Sequence, residues 1–494
     1  MSARESIEVE VKFDVDAGQP APDFTVLVPG GRVAAPQRHE LVATYLDTPA
    51  HDLAARRITL RRRTGGTDSG WHLKRPGTHA DARRELAIGF DHAPADGGVP
   101  PEIRDAILVI VRDRQLIPVA EITTERTVTV LHDADGNSLA EFCDDRVISH
   151  AHQSQITKEW AEWEFELTGG GTKLLKAAKP LLREAGGRRA SSASKLARAI
   201  GAEPHVHAPT RLPKKPVALD LMLHSLALHR DALITWDPLV RENAPDSVHQ
   251  LRVTARKLRS VLTSFPQILT PESVDGLEGE LRELGNLLGE ARDREVQLEI
   301  NAGLLAKEEH VPDDLRRALI DDEVGRQERS LRSLRFALST KRYLQVLDDL
   351  DLVIADPVPG ADADRRAADV ATEGIELASR RLRKAEKKLK SFEPWTDEWV
   401  AQVHRIRKRA KAVRYTADAA KPLGLKWAAR TAKRAARIQS RLGDFQDTVV
   451  NREQIARVAA LPQLSRDAVF VLGRLDAREE RRGRKAVEAY LAER

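Results

Sequence analysis

A short stretch near the start of the chain carries the first residues that could do chemistry. Residues 7–13 read Ile-Glu-Val-Glu-Val-Lys-Phe, so apolar and charged side chains alternate. This period of two is typical of a half-buried β-strand, which would place Glu8, Glu10 and Lys12 on one face. Two carboxylates beside an ammonium group form either an ordinary solvated strand face or one wall of an ionic cavity.

The same alternation returns several times before residue 200, and it favours the cavity. Residues 162–167 mirror the first stretch, with three acids on one face and large apolar side chains on the other. Between the two acidic stretches lie short runs that carry cations, at Arg61, Arg63, Lys74 and Arg83. A closed sheet with a charged interior would collect all of these side chains, and its outside would pack against helices. Because the connections are short, we predict an antiparallel sheet.

These motifs resemble the signature of the CYTH family, the triphosphate tunnel metalloenzymes. The resemblance starts from Glu-x-Glu-x-Lys and includes four further features in the family's order. These are residues 45–49, residues 60–63, residues 162–167, and Ser194-Lys195 before Arg198. The resemblance covers roughly the first two hundred residues and implies a closed antiparallel β-barrel, the triphosphate tunnel.

The resemblance assigns roles to the charged residues. The substrate-binding cations would be Lys12, Arg61, Arg63, Lys74, Arg83, Arg126 and Lys195. The metal ligands would be Glu8, Glu10, Glu164 and Glu166, with Glu162 as support, and the catalytic group would be Glu8, Glu10 and Lys12. Arginine and lysine suit phosphate oxygens, whereas carboxylates suit Mg²⁺ or Mn²⁺, the cofactor that we expect.

Two positions stay open at this point. The family has one acid on the strand around residues 141–145, which is either Asp144 or Asp145 in this chain. Arg188 and Arg189 either reach the tunnel or form a basic helix end.

Composition limits the class of protein. A chain of 494 residues with 41% hydrophobic and 31% charged residues is long enough for two or three globular domains. Its single cysteine, Cys143, rules out an intramolecular disulfide and argues against a cysteine-based metal site. We see neither a signal-peptide pattern nor an apolar run long enough to span a membrane. We therefore expect a cytoplasmic protein with no membrane partner.

A proline-rich segment separates two regions of different composition. We predict a tunnel domain over residues 1–202, a linker over 203–216 and a helical domain over 217–494, which gives a multi-domain α+β chain. His205 and His207 lie in the linker without further ligands, so we interpret them as solvated rather than metal-binding. After residue 217, apolar residues recur at helical spacing.

The helical region contains an internal repeat. Val-His-Gln-Leu-Arg at residues 248–252 returns as Val-His-Arg-Ile-Arg at 403–407, and Leu-Gly-x-x-x-Asp at 288–293 returns at 442–447. Two motifs that repeat in the same order predict a duplicated helical bundle. We place the copies at residues 217–355 and 365–494.

The first repeated motif places a histidine and three basic residues along one stripe of each helix. The stripes comprise His249, Arg252, Arg256 and Arg259 in the first copy, and His404, Arg407, Lys411 and Arg414 in the second. Such stripes are usually solvated, but their duplication favours anion binding. They resemble the CHAD family of histidine-containing α-helical domains. That resemblance implies two four-helix bundles whose basic central surface binds inorganic polyphosphate.

The leading hypothesis is a metal-dependent inorganic triphosphatase that hydrolyses tripolyphosphate and binds long-chain polyphosphate. One localisation that this hypothesis allows for the protein is on polyphosphate granules in the cytoplasm. One alternative is a non-catalytic polyphosphate-binding or granule-associated protein. Another is a tunnel enzyme for an organic triphosphate, of thiamine triphosphatase or adenylyl cyclase type. A P-loop nucleotidase is disfavoured because its phosphate-binding motif is missing. Nucleic acid is not expected as a partner, because aromatic residues are only 4% of the chain and none interleaves with the cations.

Overall fold

The computed structural model describes residues 4–77, 82–201 and 211–492. The chain divides into two compact units, Met1–Ala208 and Pro209–Arg494. Most of the expected linker, including His205 and His207, lies outside the described residues. The linker and the domain limits drawn around it therefore stay predictions.

Within residues 4–77 and 82–201, the first unit has ten strands and three α-helices. The strands are β1 (Arg4–Val15), β2 (Arg32–Val33), β3 (Gln37–Asp47), β4 (Thr59–Thr64), β5 (Gly70–Pro76), β6 (Ala82–Gly89), β7 (Ile117–His132), β8 (Ser138–Ala151), β9 (Ile156–Leu167) and β10 (Arg188–Arg189). The helices are α1 (Pro101–Val111), α2 (Thr172–Glu184) and α3 (Lys195–Ile200).

Eight of these strands close into an antiparallel barrel. The order runs β1-β6-β5-β4-β3-β7-β8-β9 and returns to β1. Closure depends on β1, which pairs with β6 from Arg4 to Val9 and with β9 from Glu10 to Val15. The predicted α+β fold with an N-terminal closed antiparallel barrel is confirmed.

The two faces of the barrel wall have different neighbours. On the outside, Phe13, Trp163 and Phe165 form an apolar cluster with Leu182 of α2. α3 lies elsewhere, because its Leu196 packs with Ala43, Tyr45 and Ile122. Tyr45 pairs directly with Arg61, and residues directly opposite each other in a ladder share one face of the sheet. α3 therefore covers part of the barrel interior, in addition to the helix packing that the sequence predicted for the outside.

The second unit is helical throughout its described residues. Its helices are α4 (Ala218–Arg241), α5 (Ser247–Ser264), α6 (Pro271–Leu305), α7 (Asp313–Arg316), α8 (Asp322–Leu338), α9 (Lys341–Ala355), α10 (Ala367–Leu389), α11 (Asp397–Ala419), α12 (Lys426–Ala459) and α13 (Arg466–Ala492). A π-helical segment, Arg317–Asp321, joins α7 to α8. Among the described residues, no helix combines the length and the apolarity that a membrane crossing requires.

The repeated motifs occupy corresponding helices of this unit. The two His-x-x-Arg motifs lie on α5 and α11, which pack against each other, and the two Leu-Gly-x-x-x-Asp motifs lie on α6 and α12. α5 packs on α6, and α11 packs on α12. α9 ends at Ala355 and α10 begins at Ala367, on either side of the boundary between the two predicted copies. The division into two four-helix bundles stays a prediction.

Candidate active site in the barrel and a cationic surface on the helices

The interior of the barrel is lined by acids and cations that face one another across the strands. Cross-strand pairs place Lys12 opposite Glu164 and Glu10 opposite Glu166. The interior set comprises Glu8, Glu10, Lys12, Arg61, Arg63, Lys74, Arg83, Glu85, Arg126, Asp145, Glu162, Glu164, Glu166 and Lys195. All of the site residues that the sequence predicted for the barrel are thus brought together.

Glu164 is the centre of the densest network. Its carboxylate accepts from Arg126 Nη2 at 2.5 Å and from Lys195 Nζ at 2.8 Å, and it also pairs with Lys12. Burial raises the pKa of Glu164, but Lys12, Lys195 and Arg126 outweigh burial, so the pKa lies well below its usual range. Glu164 is therefore ionised and already neutralised by several cations.

The structure decides between the two candidate acids of β8. Asp145 is completely buried in the interior, where Arg126 donates to it from Nε at 2.8 Å and from Nη2 at 2.6 Å. Lys195 lies 2.9 Å from the same carboxylate. Asp144 points to the other face of the strand, where its nearest cation, Arg146, lies 3.7 Å away. Asp145 is thus the acid that belongs to the interior.

A second network contains an acid that the sequence analysis did not select. Lys74 lies 2.6 Å from Glu8 and 3.8 Å from Glu85. Glu85 also accepts a hydrogen bond from His72 at 3.0 Å. Burial raises the pKa of Glu85, but Lys74 and His72 outweigh burial and lower it strongly. The alternation of Arg83 and Glu85 was the sequence signal that could have identified this acid.

On the remaining side of the interior, negative charge exceeds positive charge. Burial, reinforced by Glu85, raises the pKa of Glu8 to about 7 even though Lys74 is near. Burial, followed by the charge of Glu8, raises the pKa of Glu166 to about 8. In the described parts of the chain, no cation lies within ion-pair distance of Glu166. Glu8, Glu10 and Glu166 therefore share two cations, Lys74 and Lys12, which also contact Glu85 and Glu164.

Two sets of interior acids are candidates for holding a divalent cation. The oxygens of Asp145, Glu162 and Glu164 lie within 4.8 Å of one another, but Lys195 contacts all three acids. Glu8, Glu10 and Glu166 offer hard oxygen ligands with only Lys74 and Lys12 nearby. Mg²⁺ and Mn²⁺ prefer such ligands. The chemistry of Glu8, Glu10 and Glu166 thus suits a divalent cation, and their assignment as its ligands stays a prediction.

Two arginines of β4 supply positive charge on the facing wall. Arg61 donates a hydrogen bond to the Tyr45 hydroxyl at 3.4 Å. Arg63 is buried and pairs with Asp68 at the edge of the barrel. Burial, followed by the charge of Arg61, lowers the pKa of Arg63 to about 10. This wall is under like-charge repulsion that a bound anion would relieve.

In the helical unit, the cations of α5 and α11 converge. Burial, followed by the charges of Arg407, Arg256 and Arg252, lowers the pKa of Lys411 to about 8. Arg256 donates to the Tyr415 hydroxyl of the facing helix at 3.1 Å. These four cations from both copies of the repeat form one group, which we call the central cationic surface: Arg252, Arg256, Arg407 and Lys411.

The second repeated motif explains how two of these arginines are held. A Cβ atom on Gly289 would lie 3.3 Å from the Arg252 guanidinium, and one on Gly443 would lie 3.5 Å from that of Arg407. The glycines thus leave room for each guanidinium to lie against the neighbouring helix. Arg252 also donates to Asp293 at 2.9 Å, so the Leu-Gly-x-x-x-Asp motif holds the arginine from two positions.

Three of the four other stripe residues contact groups outside this surface. Arg259 pairs with Glu278 at 3.3 Å, and Arg414 lies 3.6 Å from Asp418. His404 contacts Gln446 at 2.8 Å, and burial lowers the pKa of His404. Any charge that His404 gains on acidification is therefore displaced to a lower pH than its ordinary value implies.

Comparison with known proteins matches both units. The family model described as "CYTH domain" matches residues 6–200, and the one described as "CHAD domain" matches residues 224–456. "Uncharacterized protein MT2285" of Mycobacterium tuberculosis (strain CDC 1551 / Oshkosh) is 38% identical over 510 residues, which cover 98% of this chain and 96% of that protein.

Two solved structures resemble part of the chain. "PptA from Streptomyces chartreusis" is 17% identical with a TM-score of 0.47, covering 56% of this chain and 98% of its own. The CHAD domain from the plant Ricinus communis is 21% identical with a TM-score of 0.44, covering 57% of this chain and 96% of its own.

Proposed function

This chain belongs to the CYTH family over residues 6–200 and to the CHAD family over residues 224–456, and we propose on that basis that it is a metal-dependent inorganic triphosphatase with a polyphosphate-binding helical unit. The observation that carries the proposal is the barrel interior, where the Arg61 and Arg63 wall faces the acids of β1 and β9. The substrate would be tripolyphosphate and the products diphosphate and phosphate.

The chain's own residues would bind and orient the substrate. Arg61, Arg63 and Lys74 would donate to phosphate oxygens, and the arginines can do so through two parallel hydrogen bonds. Lys12, between Glu10 and Glu164, would be the cation nearest the acidic side. Phosphoryl transfer is catalysed mainly by such positioning and charge stabilisation.

In the reaction, the oxygen of a water molecule bonds to the terminal phosphorus while the bond from that phosphorus to the bridging oxygen breaks. Diphosphate leaves with the bridging oxygen. Mg²⁺ or Mn²⁺ at Glu8, Glu10, Glu164 and Glu166 would supply charge neutralisation at the phosphoryl oxygens. A carboxylate of the interior would accept the proton of the water.

The proposal is tested by measuring phosphate release by the full chain. The substrates would be tripolyphosphate, ATP, thiamine triphosphate and diphosphate, each with Mg²⁺, with Mn²⁺ and with a chelator. We expect metal-dependent release that is fastest from tripolyphosphate. A preference for ATP or thiamine triphosphate would assign an organic substrate instead. Tight polyphosphate binding without turnover of any triphosphate would establish the non-catalytic alternative.

Arg63→Ala should raise KM for tripolyphosphate roughly tenfold and leave kcat within about threefold, because the guanidinium contacts the anion in ground and transition states alike. Stability should be maintained, since the substitution removes a cation that Arg61 repels. Arg62→Ala is the matched control, because Arg62 lies outside the interior and covers the Phe90 ring at 4.8 Å. A fall in kcat with unchanged KM would contradict the role assigned to Arg63.

Binding of long-chain polyphosphate should weaken as pH rises through about 8, where Lys411 loses its proton. Because burial and the neighbouring arginines lower the pKa of Lys411 to about 8, its ammonium group is charged below this pH and neutral above it. A bound polyanion favours the charged form, so binding near this pH should also take up a proton. Calorimetric titrations in buffers of different ionisation enthalpy would measure both effects.

The control for this prediction is Lys411→Arg, which keeps its charge over the whole range. Its affinity should stay constant where that of the wild type falls. The same pH dependence in Lys411→Arg and wild type would assign the titration to another group.

A further inference from the structure

The turn between β4 and β5 places an acid beside a cation of the barrel interior. This turn comprises residues 65–69 and precedes Gly70, the first residue of β5. The Asp68 carboxylate pairs with the Arg63 guanidinium, although the side chain of Asp68 is 58% exposed and that of Arg63 only 7% exposed. The contact therefore joins an exposed acid of the turn to a buried cation of the interior.

The conformation of this turn is closely determined. Gly65 and Gly66 have φ angles of +82° and +73°, in the left-handed region that favours glycine. A Cβ atom on Gly65 would overlap the backbone carbonyl oxygen of Glu40, so the turn lies directly against β3. Across the turn, the Ser69 hydroxyl donates to the carbonyl oxygen of Gly65 at 3.1 Å. The turn is thus held to the barrel by its own backbone.

A buried histidine of β5 fixes the position of Asp68 within the turn. His72 is only 2% exposed, and its Nε2 lies 2.9 Å from the backbone carbonyl oxygen of Asp68. A carbonyl oxygen only accepts, so Nε2 carries the proton of this hydrogen bond. The other ring nitrogen lies 3.0 Å from Glu85, which orients the ring. The backbone of Asp68 is therefore set from inside the barrel, independently of its own side chain.

The charges of Asp68 and Arg63 depend on each other. Burial raises the pKa of Asp68, but Arg63, followed by His72 and Arg61, outweighs burial and lowers it. Burial and the charge of Arg61 lower the pKa of Arg63, and the charge of Asp68 opposes them. Asp68 thus supplies to Arg63 the negative charge that a bound phosphate group would otherwise supply.

We propose that Asp68 is a built-in counter-ion of Arg63 that a phosphate group of the substrate displaces, and that Asp68 thereby sets the affinity of the barrel for this substrate. The proposal rests on the proposed triphosphatase function, because Arg63 is one of its substrate-binding cations. A phosphate group offers more charge and more acceptor oxygens than a carboxylate, so it replaces Asp68 at the guanidinium. The exposed carboxylate then turns to water, and its displacement consumes part of the binding energy.

The first test is the steady-state kinetics of Asp68→Asn in the full chain. The variant keeps the shape of the side chain and removes the competing charge, so KM for tripolyphosphate should fall roughly threefold to fivefold, with kcat within about twofold. Asp68→Glu retains the charge and should stay near the wild type. Asp16→Asn is the matched control, because Asp16 is an exposed acid of the same unit that pairs with the exposed Arg188. It should leave KM unchanged.

A double-mutant cycle separates displacement from a general effect of charge. In the Arg63→Ala background, Asp68 has no guanidinium to occupy, so Asp68→Asn should change KM by less than about 1.5-fold. An effect of charge on the whole interior would persist in that background. An unchanged KM in Asp68→Asn, or the same fall in both backgrounds, would overturn the inference.

Thermal unfolding provides a readout that does not depend on turnover. Without ligand, Asp68→Asn should melt below the wild type, because Arg63 loses its counter-ion while it stays buried beside Arg61. Tripolyphosphate, added with a chelator to prevent hydrolysis, should raise the melting temperature of Asp68→Asn by more than it raises that of the wild type. Equal shifts in the two proteins would contradict the proposal.

If the wild type hydrolyses no triphosphate, the proposed function fails and equilibrium binding decides the inference separately. Calorimetry would then measure the affinity for tripolyphosphate of the wild type and Asp68→Asn, each with and without Arg63→Ala. The helical unit is identical in every variant, so its own binding of tripolyphosphate contributes equally. Tighter binding by Asp68→Asn that disappears in the Arg63→Ala background supports the inference. Equal affinity of the wild type and Asp68→Asn, or no binding by either, overturns it.

Discussion

Replacing Glu10 by glutamine should lower metal-dependent hydrolysis of tripolyphosphate by at least about a hundredfold, while KM changes only a few-fold. The substitution keeps the volume of the side chain and removes one charged oxygen ligand from the group in which Glu8, Glu10 and Glu166 share two cations. The cations that would hold the substrate remain in place. The loss should therefore appear in kcat, and Mg²⁺ affinity measured by calorimetry should fall with it.

The fold should tolerate this change. Lys12 loses a partner at 3.1 Å but keeps Glu164, so no unpaired ammonium is left buried. Glu159→Gln is the control, because Glu159 is an exposed acid of β9, the strand that carries Glu164. Full activity in Glu10→Gln would show that the cation binds elsewhere. The cluster Asp145, Glu162 and Glu164 would then be the remaining candidate.

The second large effect concerns the central cationic surface. Arg252→Ala/Arg256→Ala should weaken binding of long-chain polyphosphate at least about tenfold, because the two arginines converge with Arg407 and Lys411 of the other copy. A long chain that spans both copies also gains from effective concentration, which a short chain does not. The slope of log affinity against log salt should decrease by up to about two, one for each cation removed.

Arg332→Ala/Arg380→Ala is a control with the same loss of charge, since each of these exposed arginines lies near a glutamate on its own helix. The Arg256→Ala single variant adds a second check. Within the described part of the chain, Arg256 has only the Tyr415 hydroxyl as a hydrogen-bond partner, so its loss should disturb packing less than loss of Arg252. Equal affinity and equal salt slope in wild type and double variant would mean that the repeat serves helix packing alone.

The arrangement of the barrel was predictable to a large extent from its first and last strands. The alternation in residues 7–13 and 162–167 indicated which side chains share a face, because consecutive residues of a strand point in opposite directions. Charged faces on several strands then implied a closed sheet, and the eight-stranded barrel confirms it. The duplicated motifs likewise indicated two corresponding halves in the helical region.

Pairing between distant segments was not predictable in the same way. A period of two identifies a face but not the partner across the ladder, so Asp144 and Asp145 were equivalent until β8 was paired with β7 and β9. Glu85 was overlooked for the same reason, because only the contacts with Lys74, His72 and Glu8 make it part of the site.

The role of glycine in the second repeat shows this limit within the helices. The sequence identified Gly289 and Gly443 as repeated positions without a reason for glycine. The reason lies on neighbouring helices, where Arg252 and Arg407 occupy the space that a side chain would fill.

By itself, the sequence determined which residues are charged, which faces they share and which motifs repeat, because these properties depend on local periodicity. The tertiary structure decided which charges meet and which acids outnumber the cations near them. The position of α3 against the interior and the change of partner along β1, from β6 to β10, both depend on contacts between residues far apart in the chain. Local patterns do not encode such contacts, since the same alternating strand can pair with any edge that matches its faces.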